Sequence, residues 1–294
     1  MIINASGRTD ICAFYSEWFM NRIKAGYFDV RNPFHETMVS RIYWENVDLV
    51  MFCTKNPLPM IPNLPKIDKP VLMDVTITPY HREIEPNVPD KKEVIEGVRQ
   101  ASEILGPKNV VVRYDPIFLS SRYTLEYHLR AFEKLCAALE GAVERICISF
   151  LDEYKNVRNN LHILNPVPFR EEDYQCIAEE FLRIAQKHKI IPYTCHEKDL
   201  LTRYGFPNEA CLSSKRAFEM TGKVFKTWKA RDCGCAEMAD IGAYNSCRHL
   251  CRYCYANFDE RKAALSSEKH NPESSLLIGE LRPQDQVIRR FGQS

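Results

Sequence analysis

The sequence predicts an α/β protein whose parallel strands close fully or partly into a TIM-like barrel. Three observations predict it. Short apolar runs alternate with amphipathic helical runs through most of the 294 residues, the pattern of repeated right-handed β–α units. Those strand runs are apolar at nearly every position, as strands covered on both faces are. No G-x-G-x-x-G or P-loop follows any of them, so an open dinucleotide-binding sheet lacks its phosphate cradle and the barrel is favoured.

In order along the chain, the candidate strands are residues 2–5, 49–54, 71–78, 110–114, 146–150 and 190–195. Between them, Val94, Ile95, Val98, Ala101 and Leu105 recur at helical spacing behind Asp90 as a cap. Leu125, Leu129, Phe132, Leu135 and Leu139 do the same behind Thr124, and Tyr174, Ile177, Phe181 and Ala185 in the next unit. Ligands of such folds gather at the carboxyl ends of the strands, so the residues just past each run are the place to look for chemistry. Ser6 to Asp10, Thr54-Lys55-Asn56-Pro57, Thr76 to Tyr80, Arg113 to Pro116, Ser149 to Asp152 and Cys195-His196-Glu197 are all polar. Any one of these is explained by a cap or a turn, but six in succession describe a polar mouth. Lys55 and Arg113 suit carboxylate groups, Arg113 in bidentate fashion, and Asp115 and Asp152 suit ribose hydroxyls or a base role.

Composition narrows the class. With 40 basic and 39 acidic residues the formal charge is +1, which leaves no overall electrostatic footprint for nucleic acid or an anionic membrane. MIINASGRTD carries neither a basic leader nor an apolar run of signal-peptide length, and no stretch approaches a membrane span, so a cytoplasmic, membrane-free protein is expected. Twelve cysteines then read as reduced thiols and metal ligands rather than disulfides. Cys12, Cys53, Cys136, Cys147 and Cys176 lie singly in apolar segments and read as small core residues.

Five cysteines fall within residues 233–257, three of them spaced Cys247-x3-Cys251-x2-Cys254. Thiolates at that spacing on one tight loop can serve a single inorganic centre, and iron–sulfur clusters are held by such runs. Tyr253 and Tyr255 flank Cys254 and would set ring faces beside the cluster, limiting water around it. The alternative is a structural zinc site using Cys233, Cys235 and two of the later three, although zinc knuckles usually pair C-x2-C with C-x2-C.

The run C-x3-C-x2-C ending in Tyr-Cys-Tyr resembles the cluster loop of radical S-adenosylmethionine (radical SAM) enzymes. There three cysteines hold a [4Fe–4S] cluster whose fourth iron takes the amino and carboxylate groups of SAM. The stretch from Thr54-Lys55-Asn56-Pro57 through Val75-Thr76-Ile77-Thr78 and Glu85-Pro86 to residues 110–116 resembles the spore photoproduct lyase-like branch of these proteins. Thr76 stands where serine is usual. The likeness implies that Lys55 and Thr76 or Thr78 bind SAM. From Ser6-Gly7-Arg8-Thr9-Asp10 through Arg113-Tyr114-Asp115-Pro116 to the cysteine loop, the whole chain is similar to the DUF1848 family, whose late cysteine cluster is likened to the radical SAM one. The loop comes last here rather than first, which implies a permuted barrel; barrel ends lie close together, so cutting the ring elsewhere keeps the packing.

The expected enzyme is therefore a radical SAM enzyme of unknown substrate served by a one-electron reductant such as flavodoxin or ferredoxin. Its cofactor-binding set is Lys55, Thr76, Thr78, Arg113, Ser149, Tyr253 and Tyr255, with Asp115 as a base and Cys195 as a hydrogen-atom donor. Cys195, Cys211, Cys233 and Cys235 either close a second [4Fe–4S] cluster or are packing and redox-labile thiols. Two rivals remain, a non-catalytic zinc or iron–sulfur protein and a nucleic-acid repair enzyme, the latter opposed by the charge balance. Residues 1–258 are expected to form the barrel, with the cluster loop at 247–254 and the Cys-rich segment at 195–235. Residues 259–294 are expected as a helix and tail packed on it, with Arg282, Arg289 and Arg290 as solvated charge. A strand near residues 241–245 should lie beside residues 2–5, bringing the cysteine loop to the mouth that holds Lys55, Arg113, Asp115 and Ser149.

Overall fold

Each of the six apolar runs forms a strand, and the six lie parallel in one sheet. The computed structural model describes residues 1–195, 197, 199–228 and 233–291; His196 of the last strand end and Asp232 before the cysteine segment fall outside the described residues. The chain runs β1 (Ile2–Asn4), α1 (Ile11–Phe14), α2 (Ser16–Ala25), a hairpin of β2 (Tyr27–Asn32) and β3 (His35–Tyr43), then β4 (Leu49–Thr54) and β5 (Val71–Thr76). There follow α3 (Lys91–Leu105), β6 (Val110–Ile117), α4 (Leu125–Leu139), β7 (Arg145–Phe150), the short α5 (Lys155–Arg158) and α6 (Leu161–Leu164), α7 (Glu171–Lys187) and β8 (Ile191–Thr194). Last come α8 (Ser214–Thr221), β9 (Met238–Asp240), α9 (Glu260–Glu268) and β10 (Gln286–Arg290). The expected caps form: Asp90 accepts the Lys92 N–H at 2.8 Å and Thr124 the Tyr127 N–H at 3.2 Å, each satisfying a donor the first helical turn leaves open.

The main sheet has seven strands in the order β8-β7-β6-β5-β4-β1-β9. Among the described residues β8 and β9 each pair with one neighbour only, so no ladder closes the sheet. The strand beside β1 is β9, three residues earlier than expected, with Ile2 opposite Met238 and Asn4 opposite Asp240. It stops there because the Asp240 carboxylate accepts the Gly242 N–H at 2.7 Å and bends the chain, and Asn245 follows in the left-handed region.

Side chains alternate across the strands and so define two unlike faces. Ile3, Val50, Phe52, Met73, Val75, Val112, Ile146 and Ile148 point outward against helical residues that include Trp18, Phe19, Val98, Phe132 and Phe181. Phe132 of α4 and Phe181 of α7 stack with centroids 3.7 Å apart, fastening those helices together. The inner face begins apolar with Ile2, Leu49, Leu72, Val111 and Cys147, covered by Leu212, Ala217, Cys235 and Ala236 from the segment after β8. Towards the carboxyl ends the same face turns polar through Asp74, Arg113 and Ser149.

The hairpin and β10 form a second, three-stranded sheet in the order β10-β3-β2, which was not expected. Asp29, almost fully buried, receives both arms of Arg41 at 2.8 and 2.7 Å. The tail returns over α2, where Trp18 Nε1 donates to the Ser274 carbonyl at 2.9 Å. Arg282 and Arg289 are exposed but not merely solvated: Arg282 donates to the Glu36 carbonyl of β3 at 2.7 Å, and Arg289 of β10 pairs with Glu45, just past β3, at 3.3 Å. Arg290 lies exposed on β10. Among the described residues no helix is long and apolar enough to cross a membrane.

His128 on α4 offers a test of this core. Fully buried, it meets the Tyr114 hydroxyl at Nδ1 (2.9 Å) and the Phe118 carbonyl at Nε2 (3.0 Å), so Nε2 carries the proton and donates. Burial pushes its pKa down to about 4 from an ordinary value near 6.5. Between those values the unfolded chain takes the proton first, so stability is complete above about pH 6.5 and declines as pH falls towards 4. In urea unfolding, the wild type should lose roughly 2–3 kcal/mol more than His128→Gln between pH 7 and pH 4.5. Equal losses would show that His128 does not carry this dependence.

Candidate metal and cofactor site

The site is built from the loops that leave parallel strands on the same side. At the end of β1, Asp10 caps α1 through the Ala13 N–H at 3.0 Å. The same buried carboxylate accepts the Thr54 hydroxyl at 2.7 Å, the Lys55 N–H at 2.8 Å and His249 Nε2 at 3.1 Å. One side chain thus joins the ends of β1 and β4 to the cysteine loop. Gly7 lies so close to Asp240 that an added Cβ would fall 1.9 Å from its carboxylate oxygen. Arg8 binds that carboxylate at 3.1 Å, holding the β1 and β9 exits together.

A second carboxylate lies deeper. Glu85, 2% exposed, accepts Lys55 Nζ at 2.7 Å and the Thr78 hydroxyl at 2.6 Å. Lys91 from the first turn of α3 and the Tyr253 hydroxyl from the cysteine loop also donate to it. Burial alone would raise its pKa, but the Lys55 and Lys91 ammonium groups hold it at about 2. The Lys55 ammonium lies 5.3 Å over the Tyr253 ring.

The cysteine loop seats on this pair of carboxylates. Cys247 and Cys251 are buried and Cys254 is half-buried, all three as free thiols. The Tyr15 hydroxyl donates to the Ser246 carbonyl at 2.6 Å, Asn257 to the Cys247 carbonyl at 2.6 Å and Asn160 to the Arg252 carbonyl at 2.7 Å. Asn87 donates to the Arg248 carbonyl at 2.8 Å. Burial pushes all three thiols up, and Lys55 and Lys91 draw Cys251 back down. Cys247 and Cys251 lie within electrostatic reach of each other and of Cys254. Among the described residues, however, only Cys195, Cys211 and Cys235 bring three ligand atoms within 4.8 Å of one another. Thiolates sharing one tetrahedral ion at 2.3 Å stand about 3.8 Å apart, whereas thiolates bound to different irons of a cluster stand further apart. The loop trio falls outside that group; three thiolates on one anchored loop are the donor type that iron–sulfur clusters take.

The remaining predicted residues form an adjoining group on the inner face. Arg113 reaches Asp115 at 2.7 and 3.0 Å, Asp74 at 3.4 Å and the Cys211 sulfur at 3.0 Å; its guanidinium is already engaged within the chain. The Ser149 hydroxyl donates to Asp115. Asp74 is pushed up to about 7 by burial against the pull of Arg113, and Glu197, which accepts the Phe150 N–H at 2.8 Å, is likewise raised to about 7 by burial. Thr76 is half-buried on the face that carries Asp74, and Asp152 is exposed. Tyr255 is half-exposed and donates to the Gly7 carbonyl, so only Tyr253 is buried against the loop's floor. Lys55 stands between the groups, within electrostatic reach of both Cys251 and Asp115.

One expectation changes. Of Cys195, Cys211, Cys233 and Cys235, the first, second and fourth assemble and Cys233 does not join them. Cys147, expected as a core residue, is fully buried in the inner-face core and also lies beside the Cys211 sulfur. Its place in an apolar run hid that neighbour, although strand alternation put Cys147 on the inner face. Lys91 and His249 were not singled out in the sequence, and Glu85 and Asp10 stood there only in the Glu85-Pro86 step and the polar Ser6 to Asp10 run; only the fold shows them under the loop. A separate cleft of about 800 Å3 between α3 and α4 is lined by Thr78, His81, Glu85, Lys91, Tyr127 and Arg130. It reaches Glu85 from the helical side, and the thiols do not line it.

The chain matches the family described as Domain of unknown function (DUF1848) over residues 2–256. It belongs to that family, and the match takes in every strand of the main sheet and the whole cysteine loop. No curated protein matches the chain.

The Lys55–Glu85 pair is testable as a unit. Glu85→Gln strips two enclosed lysines of their counter-charge and should cost about 3–5 kcal/mol, while Lys55→Met leaves Lys91 on the carboxylate and should cost less. The double variant should fall short of the sum by about 1–3 kcal/mol in chemical denaturation. Additive costs would show that the two side chains do not act together.

Proposed function

We propose that the chain is a radical SAM enzyme in which Cys247, Cys251 and Cys254 hold a [4Fe–4S] cluster and S-adenosylmethionine lies across the mouth of a partial barrel. The observation that carries this reading is the seating of three free thiols on one anchored loop against the buried Lys55–Glu85 pair. Three ligands for four irons leave one iron for a substrate, by the logic that separates open from closed zinc sites. The strand order supports a barrel-like winding: from β1 to β8 the main-sheet strands follow one another without reversal, and β9 lies on the far side of β1. A doubly wound sheet reverses its order part-way.

When bound, the cluster supplies the electron that cleaves SAM to methionine and a 5′-deoxyadenosyl radical, which takes a hydrogen atom from a substrate. The chain's own residues orient and exclude. Glu85 holds the Lys55 ammonium at the mouth, where that ammonium and the Tyr253 ring form the floor beneath Cys251. Tyr80, Phe118 and Tyr123 close in around Cys251 and Tyr253 and keep water from that side. Asp115, aligned by Arg113 and Ser149, presents a carboxylate suited to hydroxyl groups, and Thr76 and Thr78 follow at the end of β5. A one-electron reductant of the flavodoxin or ferredoxin class completes the chemistry.

The test is anaerobic incubation of the iron-reconstituted chain with SAM and dithionite. Wild type should form 5′-deoxyadenosine, and the variant with Cys247, Cys251 and Cys254 all changed to alanine should form none and hold about four fewer irons per chain. Undiminished 5′-deoxyadenosine in that variant would end the radical SAM reading.

A further inference from the structure

We propose that Cys147, Cys195, Cys211 and Cys235 form a single-ion tetrathiolate site, taken by zinc, on the inner face of the sheet. The site stands apart from the cysteine loop and does not depend on the SAM reading. Its four sulfurs come from three places that the backbone brings together. Cys147 lies fully buried within β7, and Cys195 directly follows β8. Cys211 and Cys235 belong to the segment that crosses the inner face. That crossing is held in register: the Thr194 N–H donates to the Pro207 carbonyl at 2.8 Å and the Glu209 N–H to the Thr194 carbonyl at 2.9 Å, laying residues 207–209 along β8. The Ala236 N–H donates to the Leu212 carbonyl at 2.8 Å, and a bridge between Ser213 and Cys235 fixes the two cysteine-bearing strands of the crossing side by side.

Distances select the kind of centre. The sulfurs of Cys195, Cys211 and Cys235 lie within 4.8 Å of one another, with Cys211 and Cys195 at 2.8 Å. Four thiolates on one tetrahedral ion at 2.3 Å are separated by about 3.8 Å. A cuboidal cluster needs a wider set, because each thiolate binds its own iron. Cys147, fully buried on the inner face beside Cys211, stands outside that 4.8 Å group and is the fourth ligand an ion bound there would draw in. An all-sulfur tetrahedral set is the donor chemistry zinc takes.

The surroundings suit the charge. A divalent ion with four thiolates carries a net charge of about −2 once the thiol protons have left to solvent. Arg113 donates to Cys211 at 3.0 Å, the outer-sphere hydrogen bond that steadies a ligating sulfur. With all four positions filled by protein the ion has no open site, so its work is structural. It fastens the segments that carry Cys211 and Cys235 to β7 and β8.

The test uses the full chain and counts metals. The variant with Cys247, Cys251 and Cys254 changed to alanine should retain one zinc per chain. Adding Cys211→Ser should remove it, whereas adding Cys233→Ser should leave it in place. Cobalt(II) titrated into metal-free wild type should give thiolate charge-transfer absorption saturating at one equivalent above any iron, a readout that survives if the Cys211→Ser chain fails to fold. Cys147→Ser should release the ion to a chelator at least tenfold faster. Zinc retained after Cys211→Ser would overturn the site. So would about four irons lost with that change, which would mean a second cluster, or a Cys195–Cys211 disulfide in metal-free protein that takes up no cobalt.

Discussion

The mouth of the sheet depends on keeping the Glu85 carboxylate ionised out of water. Withdrawing such a charge without compensation costs several kcal/mol, and here the compensation comes from four elements: Lys55 past β4, Thr78 past β5, Lys91 at the start of α3 and Tyr253 in the cysteine loop. None of the four is a sequence neighbour of all the others, so satisfying the charge fixes where strand ends, helix and loop meet. Two ammonium groups face one carboxylate, and both offset part of the burial that raises the Cys251 thiol.

The inner face shows how the two groups of thiols are kept apart. Parallel strands buried on both sides are usually apolar throughout, and β4 to β7 keep that rule on their outer face. On the inner face apolar residues give way along β5, β6 and β7 to Asp74, Arg113, Asp115 and Ser149, and Cys147 stands at the boundary. Arg113 occupies the middle of this border. Its contacts with Asp115 and Asp74 on one side and with the Cys211 sulfur on the other separate the mouth from the buried thiols by a layer of paired charge.

How much of this was legible follows from what each element buries. Residues 49–54 were recovered to the residue because β4 is covered on both faces and its apolar run stops where burial stops. The hairpin was not, since His35 to Met38 are exposed and give no alternation to read, and β10 is exposed at every position. The β9 strand was placed three residues late because a single side chain, Asp240, ends it by capping the Gly242 N–H, a local contest that apolar periodicity does not register. In the site, Cys247, Cys251 and Cys254 declared themselves by spacing alone. Glu85 did not: it stood out only within the Glu85-Pro86 step, and a glutamate's burial is not written in its neighbours. Cys147 was read as a core residue, which it is; only the fold shows that it also lies beside Cys211.

The direction of β9 settles why a loop so late in the chain reaches the same mouth as residues near its start. Loops that leave parallel strands at their carboxyl ends emerge on one side of a sheet whatever their order in the chain. β9 runs parallel to β1, so residues 241–246 emerge beside residues 5–10. The contacts then accumulate: Tyr15 on Ser246, Ser246 on Thr9 and His249 on Asp10. An antiparallel β9 would have released the chain towards the cysteines at the opposite end of the strands, away from Lys55. Strand polarity at one three-residue element therefore decides whether the thiols and the buried lysine–carboxylate pair belong to one site.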